Sequence, residues 1–186
     1  MDKSQEIFYA TETNNLLNTI RKMGLNEQQQ NYAEKLVKDF RNAFKSKDVR
    51  RATFPDEKPL SPKAMMSLWY SDGFCRASSI AFQTLMGGEE NGWILMAIPE
   101  IFAPYGPHHY VLHKPSNTVL DLTADQFTHY SGLKDIPYNY GKPIFDKVIA
   151  KDSPANFAAM LGINLVKEAQ KQKIFHTQNA KTRTGR

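Results

Sequence analysis

The sequence predicts an α+β protein: helices first, then a small antiparallel sheet, then a closing helix. Three observations lead there. Apolar residues recur at helical spacing up to Lys45, the spacing turns strand-like beyond Gly88, and a last helical pattern follows a proline near residue 154. With 186 residues and 41% hydrophobic content, the chain can bury a real core.

The elements follow in order. "TNNLLNTIRKM" (13–23) predicts a short helix closed by Gly24. "NEQQ" starts a second, with Asn26 as N-cap and Gln29 completing a capping box. Tyr32, Ala33, Leu36, Val37, Phe40 and Phe44 give it one apolar face. Residues 46–60 are charged, carry two prolines and predict a linker or surface loop. "SPKAMMSLWY" predicts a third helix, with Ser61 as N-cap and Pro62 at its first position. "CRASSIAFQTLM" predicts a fourth, opening at Cys75 and stopping at Gly87-Gly88. Candidate strands are 92–98, 108–113 and 118–122, with a proline-rich loop between the first two. Ser153 is the expected N-cap of the last helix, with Pro154 behind it. The division that follows is an N-terminal helical section (1–50), an α+β core (51–166) and a basic tail (167–186).

Charge and cysteine content narrow the setting. The net charge is +5, and the same +5 arises from Lys167 onward, where six basic residues face one acid. Residues 1–166 are therefore neutral, and the high pI describes the tail. The tail predicts a solvated terminus, or a weak tether to nucleic acid or an acidic partner. No apolar run approaches the roughly 18 residues of a membrane span, so no membrane role is expected. The N-terminus lacks a signal-peptide pattern, and one cysteine forms no internal disulfide. Both predict a reducing cytoplasm.

That single cysteine is the first chemical candidate. It follows Gly73 and opens a helix. First-turn N–H groups and the positive helix end favour a thiolate. They also offer an oxyanion site, the Cys75 amide included. The alternative is a buried cysteine acting as a small hydrophobe. "GPHHYVLH" supplies histidines for a general base. On a strand, His109, Val111 and His113 share one face, and His108, Tyr110 and Leu112 the other. Asp121 lies in an apolar strand, where a carboxylate requires a partner.

Hairpin geometry then selects between the two histidines. A three-residue loop, Pro115-Ser116-Asn117 with Asn117 left-handed, pairs Lys114 with Thr118 and Val111 with Asp121. His109 then lies diagonally from Asp121 on one face. A two-residue loop would turn Asp121 to the other side.

"GFCRASS", "HHYVLH" and "LDLT" together resemble the transglutaminase-like branch of the papain-type superfamily. "GFCRASSIAFQTLMGG", "HYVLH" and "LDLTADQF" are similar, more closely, to small proteins of phages and bacteria with a D-x-TADQF segment. The likeness spans roughly residues 65–150. Tyr110 stands where those proteins usually have tryptophan, and Leu122 where the branch commonly has proline. The resemblance implies a papain/transglutaminase-like core with Cys75 as nucleophile, His109 as base and Asp121 as orienting group. It also implies catalysis without a cofactor. His108 is the near neighbour of the base. Asp125 and Gln126 read as a capping residue and a loop hydrogen bond, with Gln126 kept as a supporting candidate. Trp69 and Tyr70 read as core and cleft wall, with a supporting or substrate-binding role open.

Three functions follow as expectations. The first is a thiol enzyme of acyl groups (amidase, peptidase, deamidase or acyl transferase) acting on a protein or peptide-like substrate through a thioester. For a phage-encoded chain that substrate would be a host protein in the host cytoplasm. The second is a metal site of Cys75, His109 and His113, with Asp121 behind it. The third is a non-catalytic binding or inhibitor protein on the same fold.

Overall fold

The capping box at Asn26 is where the sequence places it, and the helix it starts organises the core. Asn26 accepts the Gln29 N–H, and the Gln29 side chain accepts the Asn26 N–H in return. The helix Glu27–Phe44 (α2) buries Ala33, Leu36, Val37, Phe40, Ala43 and Phe44 along one face. It packs against Lys3–Arg21 (α1), which starts well before the predicted helix at 13–23 and buries Tyr9, Leu17 and Ile20. These facts come from a computed structural model that describes residues 3–56, 69–99, 107–130 and 136–171. Residues 61–68 of the predicted helix at "SPKAMMSLWY", the centre of the proline-rich loop and most of the basic tail lie outside the described residues; Trp69 and Tyr70, at that segment's end, are not helical.

The predicted linker contains a helix. Lys47–Thr53 (α3) starts at Ser46, whose side chain accepts the Val49 N–H. Val49 and Thr53 turn into the core. The charges that suggested a loop are this short helix's exposed side.

Cys75–Leu85 (α4) is the central helix. Its small residues Ala77, Ser78, Ser79 and Ala81 are all buried, which lets it lie close to a four-stranded antiparallel sheet. Ser79 Oγ donates to the His109 carbonyl at 3.1 Å, tying helix to strand. The sheet comprises Trp93–Ile98 (β1), His108–His113 (β2), Thr118–Leu120 (β3) and Lys142–Pro143 (β4). Their spatial order is β3-β2-β1-β4. The edge strand β4 was not foreseen: it is two residues long and lies in a stretch with no alternating pattern.

One hydrophobic cluster joins α1, α2 and α3 to α4, β1, β2 and β3; it includes Ile20, Phe40, Phe44, Phe82, Trp93, Val111 and Leu120. The N-terminal helices therefore share the sheet's core. A second cluster, Met96, Ile98 and Tyr110, packs with Ile136 and Tyr138. The short helix Asp125–Tyr130 (α5) follows β3. Ser153–Met160 (α6) closes on α3 and α4. Its N-cap is Asp152, whose side chain accepts the Ala155 N–H, so Ser153 is one residue inside the helix.

Candidate active site

Cys75 reaches its place through a tight turn. Gly73 has φ +74°, a left-handed conformation that other residues adopt at a cost. Phe74 follows as N-cap with a side chain that offers no cap hydrogen bond. The thiol at the first helical residue is half-buried.

The hairpin register decides which imidazole meets the carboxylate, and it differs from the expected one. His113 pairs with Thr118, Leu112 with Val119 and Val111 with Leu120. The loop is four residues, Lys114 to Asn117, with Asn117 left-handed at φ 49° as foreseen. His113 stays in the ladder because its Nδ1 meets Ser116 Oγ at 2.7 Å and its ring packs 4.6 Å from Trp93. The one-residue slip exchanges the faces. Continued past Leu120, it sets Asp121 opposite Tyr110 and diagonal to His108. The pairing of His109 with Asp121 is thus corrected: Asp121 Oδ2 lies 2.6 Å from His108 Nε2.

Asp121 is fully engaged. Tyr138 Oη donates to Oδ2 at 2.8 Å, and the Thr123 N–H and hydroxyl approach Oδ1 at 3.0 and 3.3 Å. Burial opposes its charge, but His108 and these donors outweigh burial and hold the carboxyl below its ordinary value. An ionised Asp121 requires the proton on His108 Nε2. That leaves Nδ1 for proton exchange, and Gln126 Nε2 lies 3.3 Å from it. Phe127 meets the His108 ring edge-on at 4.5 Å.

His108 and Cys75 form a coupled pair. Burial works against charge on both. For His108, the Asp121 charge and hydrogen bond, followed by Cys75, outweigh burial and push the imidazole up to about 10. For Cys75, hydrogen bonding to His108, then to the His109 side chain, then the His108 charge and the His109 backbone, outweigh burial and pull the thiol down to about 6. Near neutrality this is a thiolate beside an imidazolium, the form in which sulfur is nucleophilic.

The remaining expected residues fall as follows. His109 is buried beside the sulfur, and its Nδ1 has no hydrogen-bond partner among the described residues. Trp69 is 1% exposed, and its Nε1 donates to Asp125 at 2.6 Å, so it is core rather than cleft wall. Tyr70 is half-buried, with its hydroxyl donating to Glu6. Gln126 is at the site, held also by Thr123 Oγ1 at 3.2 Å. His113 is occupied with Ser116 and Trp93, and among the described residues no three His, Cys, Asp or Glu side chains form a group able to hold a metal. The expected Cys75–His109–His113 centre is not assembled. Asp125 is not a simple cap: it binds Arg41, Trp69 and Ser71. Sequence reasoning missed Tyr138, whose only signal was the tyrosine-rich run after Leu122.

Fold and site together define a class: an α+β protein with a helix-start thiol electrostatically coupled to an imidazole that is hydrogen-bonded to a buried carboxylate. No family model matches the chain, and no curated protein or solved structure matches it either. No described helix is long and apolar enough to cross a membrane.

Proposed function

We propose that this protein is a cysteine-dependent enzyme of acyl groups, working through a thioester on Cys75. The observation that supports it is the buried His108–Asp121 pair, 2.6 Å apart, coupled to the Cys75 thiol at the start of α4. The Cys75 thiolate attacks the carbonyl carbon of an amide or ester. The carbonyl oxygen takes up the negative charge, facing the N–H groups of the helix's first turn. The imidazolium of His108 gives its Nδ1 proton to the leaving amine or alcohol as the carbon–heteroatom bond breaks, leaving a thioester. His108, now neutral, takes a proton from water or an amine as that nucleophile attacks. The thioester carbon–sulfur bond then breaks, restoring thiolate and imidazolium. Water gives hydrolysis; an amine gives transfer. Asp121 keeps Nε2 protonated and the ring oriented, as the carboxylate does in other nucleophile–histidine sites.

This reading keeps the likeness to the transglutaminase-like branch and reassigns its base from His109 to His108. The substrate class is a protein or peptide-like acyl donor, and a compartment that keeps the lone thiol reduced, such as the cytoplasm, suits it. A binding protein is the second reading, favoured by Phe145. That side chain is 82% exposed next to Asp146, which pairs with Arg76 at 2.7 Å beside the nucleophile.

Iodoacetamide alkylation of Cys75 across pH tests the proposal. Wild type should react rapidly down to about pH 6, and His108→Ala should react as an ordinary thiol with a midpoint near about 8.5. Wild type behaving as an ordinary thiol would overturn the enzymatic reading. Substrate follows from comparing wild-type and Cys75→Ala protein after incubation with lysate, by mass spectrometry for an acyl adduct on Cys75.

A further inference from the structure

A second buried polar centre lies behind the thiol site, and its connections are directional. Arg41 is 2% exposed within the otherwise apolar face of α2. All five of its N–H groups have acceptors. Nε donates to Thr13 Oγ1 at 3.1 Å; Nη1 to the Leu122 carbonyl at 3.0 Å and Asp125 Oδ1 at 2.7 Å; Nη2 to the Tyr9 carbonyl at 3.3 Å and Asp125 Oδ2 at 3.0 Å. The guanidinium also stacks 3.6 Å from the Tyr9 ring centroid, and Tyr9 Oη donates to the Arg41 carbonyl at 2.7 Å. Asp125, 2% exposed, accepts two more bonds, from Ser71 Oγ at 3.0 Å and Trp69 Nε1 at 2.6 Å.

A buried ion pair is a poor way to gain stability, because apolar residues of similar volume do as well or better. What it supplies is orientation. The segments joined here are the ones that carry the site. Ser71 and Trp69 belong to the turn that delivers Cys75, and the Trp69 N–H is held in turn by Asp72 at 2.8 Å. The Leu122 carbonyl directly follows Asp121, and Asp125 directly precedes Gln126. This carboxylate and guanidinium connect those segments.

We propose that Arg41 and Asp125 are positioning residues for the thiol site, setting the turn before Cys75 against the loop from Asp121 to Gln126 and so fixing how sulfur meets imidazole. This inference rests on the enzymatic reading above. It also gives the N-terminal helices a task in the chemistry, since α1 and α2 hold the guanidinium.

The test uses the full chain and spares the ion pair, because removing one partner would leave a buried charge unpaired at a large cost in stability. Trp69→Phe removes one N–H from Asp125 and keeps an aromatic ring; Ser71→Ala removes one hydroxyl. Leu165→Ala, which truncates a buried core side chain apart from the network, is the control for lost stability. Alkylation of Cys75 is followed from pH 5 to 9, with urea unfolding alongside. Both network variants should raise the alkylation midpoint by roughly one pH unit, about tenfold in thiolate fraction on the acid side. The control should lose stability with its midpoint unmoved. Should Trp69→Phe not fold, Ser71→Ala decides alone. A low wild-type midpoint that the network variants share would overturn the positioning role and leave the enzymatic reading standing. An ordinary wild-type midpoint would overturn both.

Discussion

Replacing Cys75 by alanine should change how stability depends on pH, and the proton count shows the direction. In the unfolded chain the thiol titrates near 9.0 and the imidazole near 6.5; in the folded protein the two lie at about 6 and about 10. Between 6.5 and 9.0 the unfolded pair holds one proton, on sulfur, and the folded pair also holds one, on His108. Equal counts mean no slope. Below 6.5 the unfolded chain binds the extra proton, so stability falls with acid. Above 9.0 the folded protein binds it, so stability falls with base. Wild type should therefore show a plateau across neutrality from these groups.

In Cys75→Ala the sulfur is gone, but His108 keeps the Asp121 charge and hydrogen bond, so its folded value stays above 6.5. A raised imidazole contributes stability that is complete below the unfolded value and is lost as pH rises toward the folded one. Above 6.5 the folded variant holds one proton more than the unfolded chain. Stability should fall with rising pH by up to about 1.4 kcal/mol per unit, or at most about 2 kcal/mol from pH 7 to 8.5. The other shifted groups do not confuse the comparison. Asp121 titrates in acid, His113 is lowered by burial, and the buried tyrosines Tyr9, Tyr110 and Tyr138 are raised above their usual range. All are common to both proteins. Urea unfolding at half-unit steps, with reductant present, gives the two profiles. A wild type that slopes like the variant would mean a neutral thiol and refute the ion pair. A variant as flat as wild type would mean that Asp121 does not hold the His108 proton.

Three further outcomes are expected. Tyr138→Phe removes the hydroxyl that donates to the buried Asp121 carboxylate, and should cost about 1.5–3 kcal/mol by urea unfolding, with a loss under half a kilocalorie contradicting that bond. Gly73→Ala forces φ +74° on a residue with a Cβ; the nearest atom is Arg50 Nη1 at 3.8 Å, so the cost is backbone strain of about 1–2 kcal/mol, read as a lower thermal midpoint. Asp152→Ala should destabilise by about 1 kcal/mol, and by more than Ser153→Ala, because Asp152 caps α6; the reverse order in denaturant titration would restore Ser153 as the cap.

What the sequence disclosed follows the distance over which each feature is encoded. The capping box of α2 and its apolar face are local, and both stand where they were read, except that Tyr32 is exposed. Cys75 at a helix start after a left-handed glycine is local too. The alternation of β2 was legible, but the partner of Asp121 was not, because that depended on one residue of loop length. The turn residues Pro115, Ser116 and Asn117 fit a loop of three or of four, and the choice falls to His113, kept in the ladder by Ser116 and by Trp93 on the next strand. No reading of the hairpin alone contains Trp93. Arg41 was more obscure still. A lone arginine on an amphipathic helix reads as surface charge, and its carboxylate lies 84 positions away. Asp125 likewise has the spacing of an ordinary helix start. The candidate catalytic groups were therefore visible as residue types, whereas the buried groups packed around them appear only when separate segments meet. In a sequence that sets two histidines side by side, parity offers Asp121 one of them at either register. The loop length, not the presence of a histidine, determines which ring meets the carboxylate.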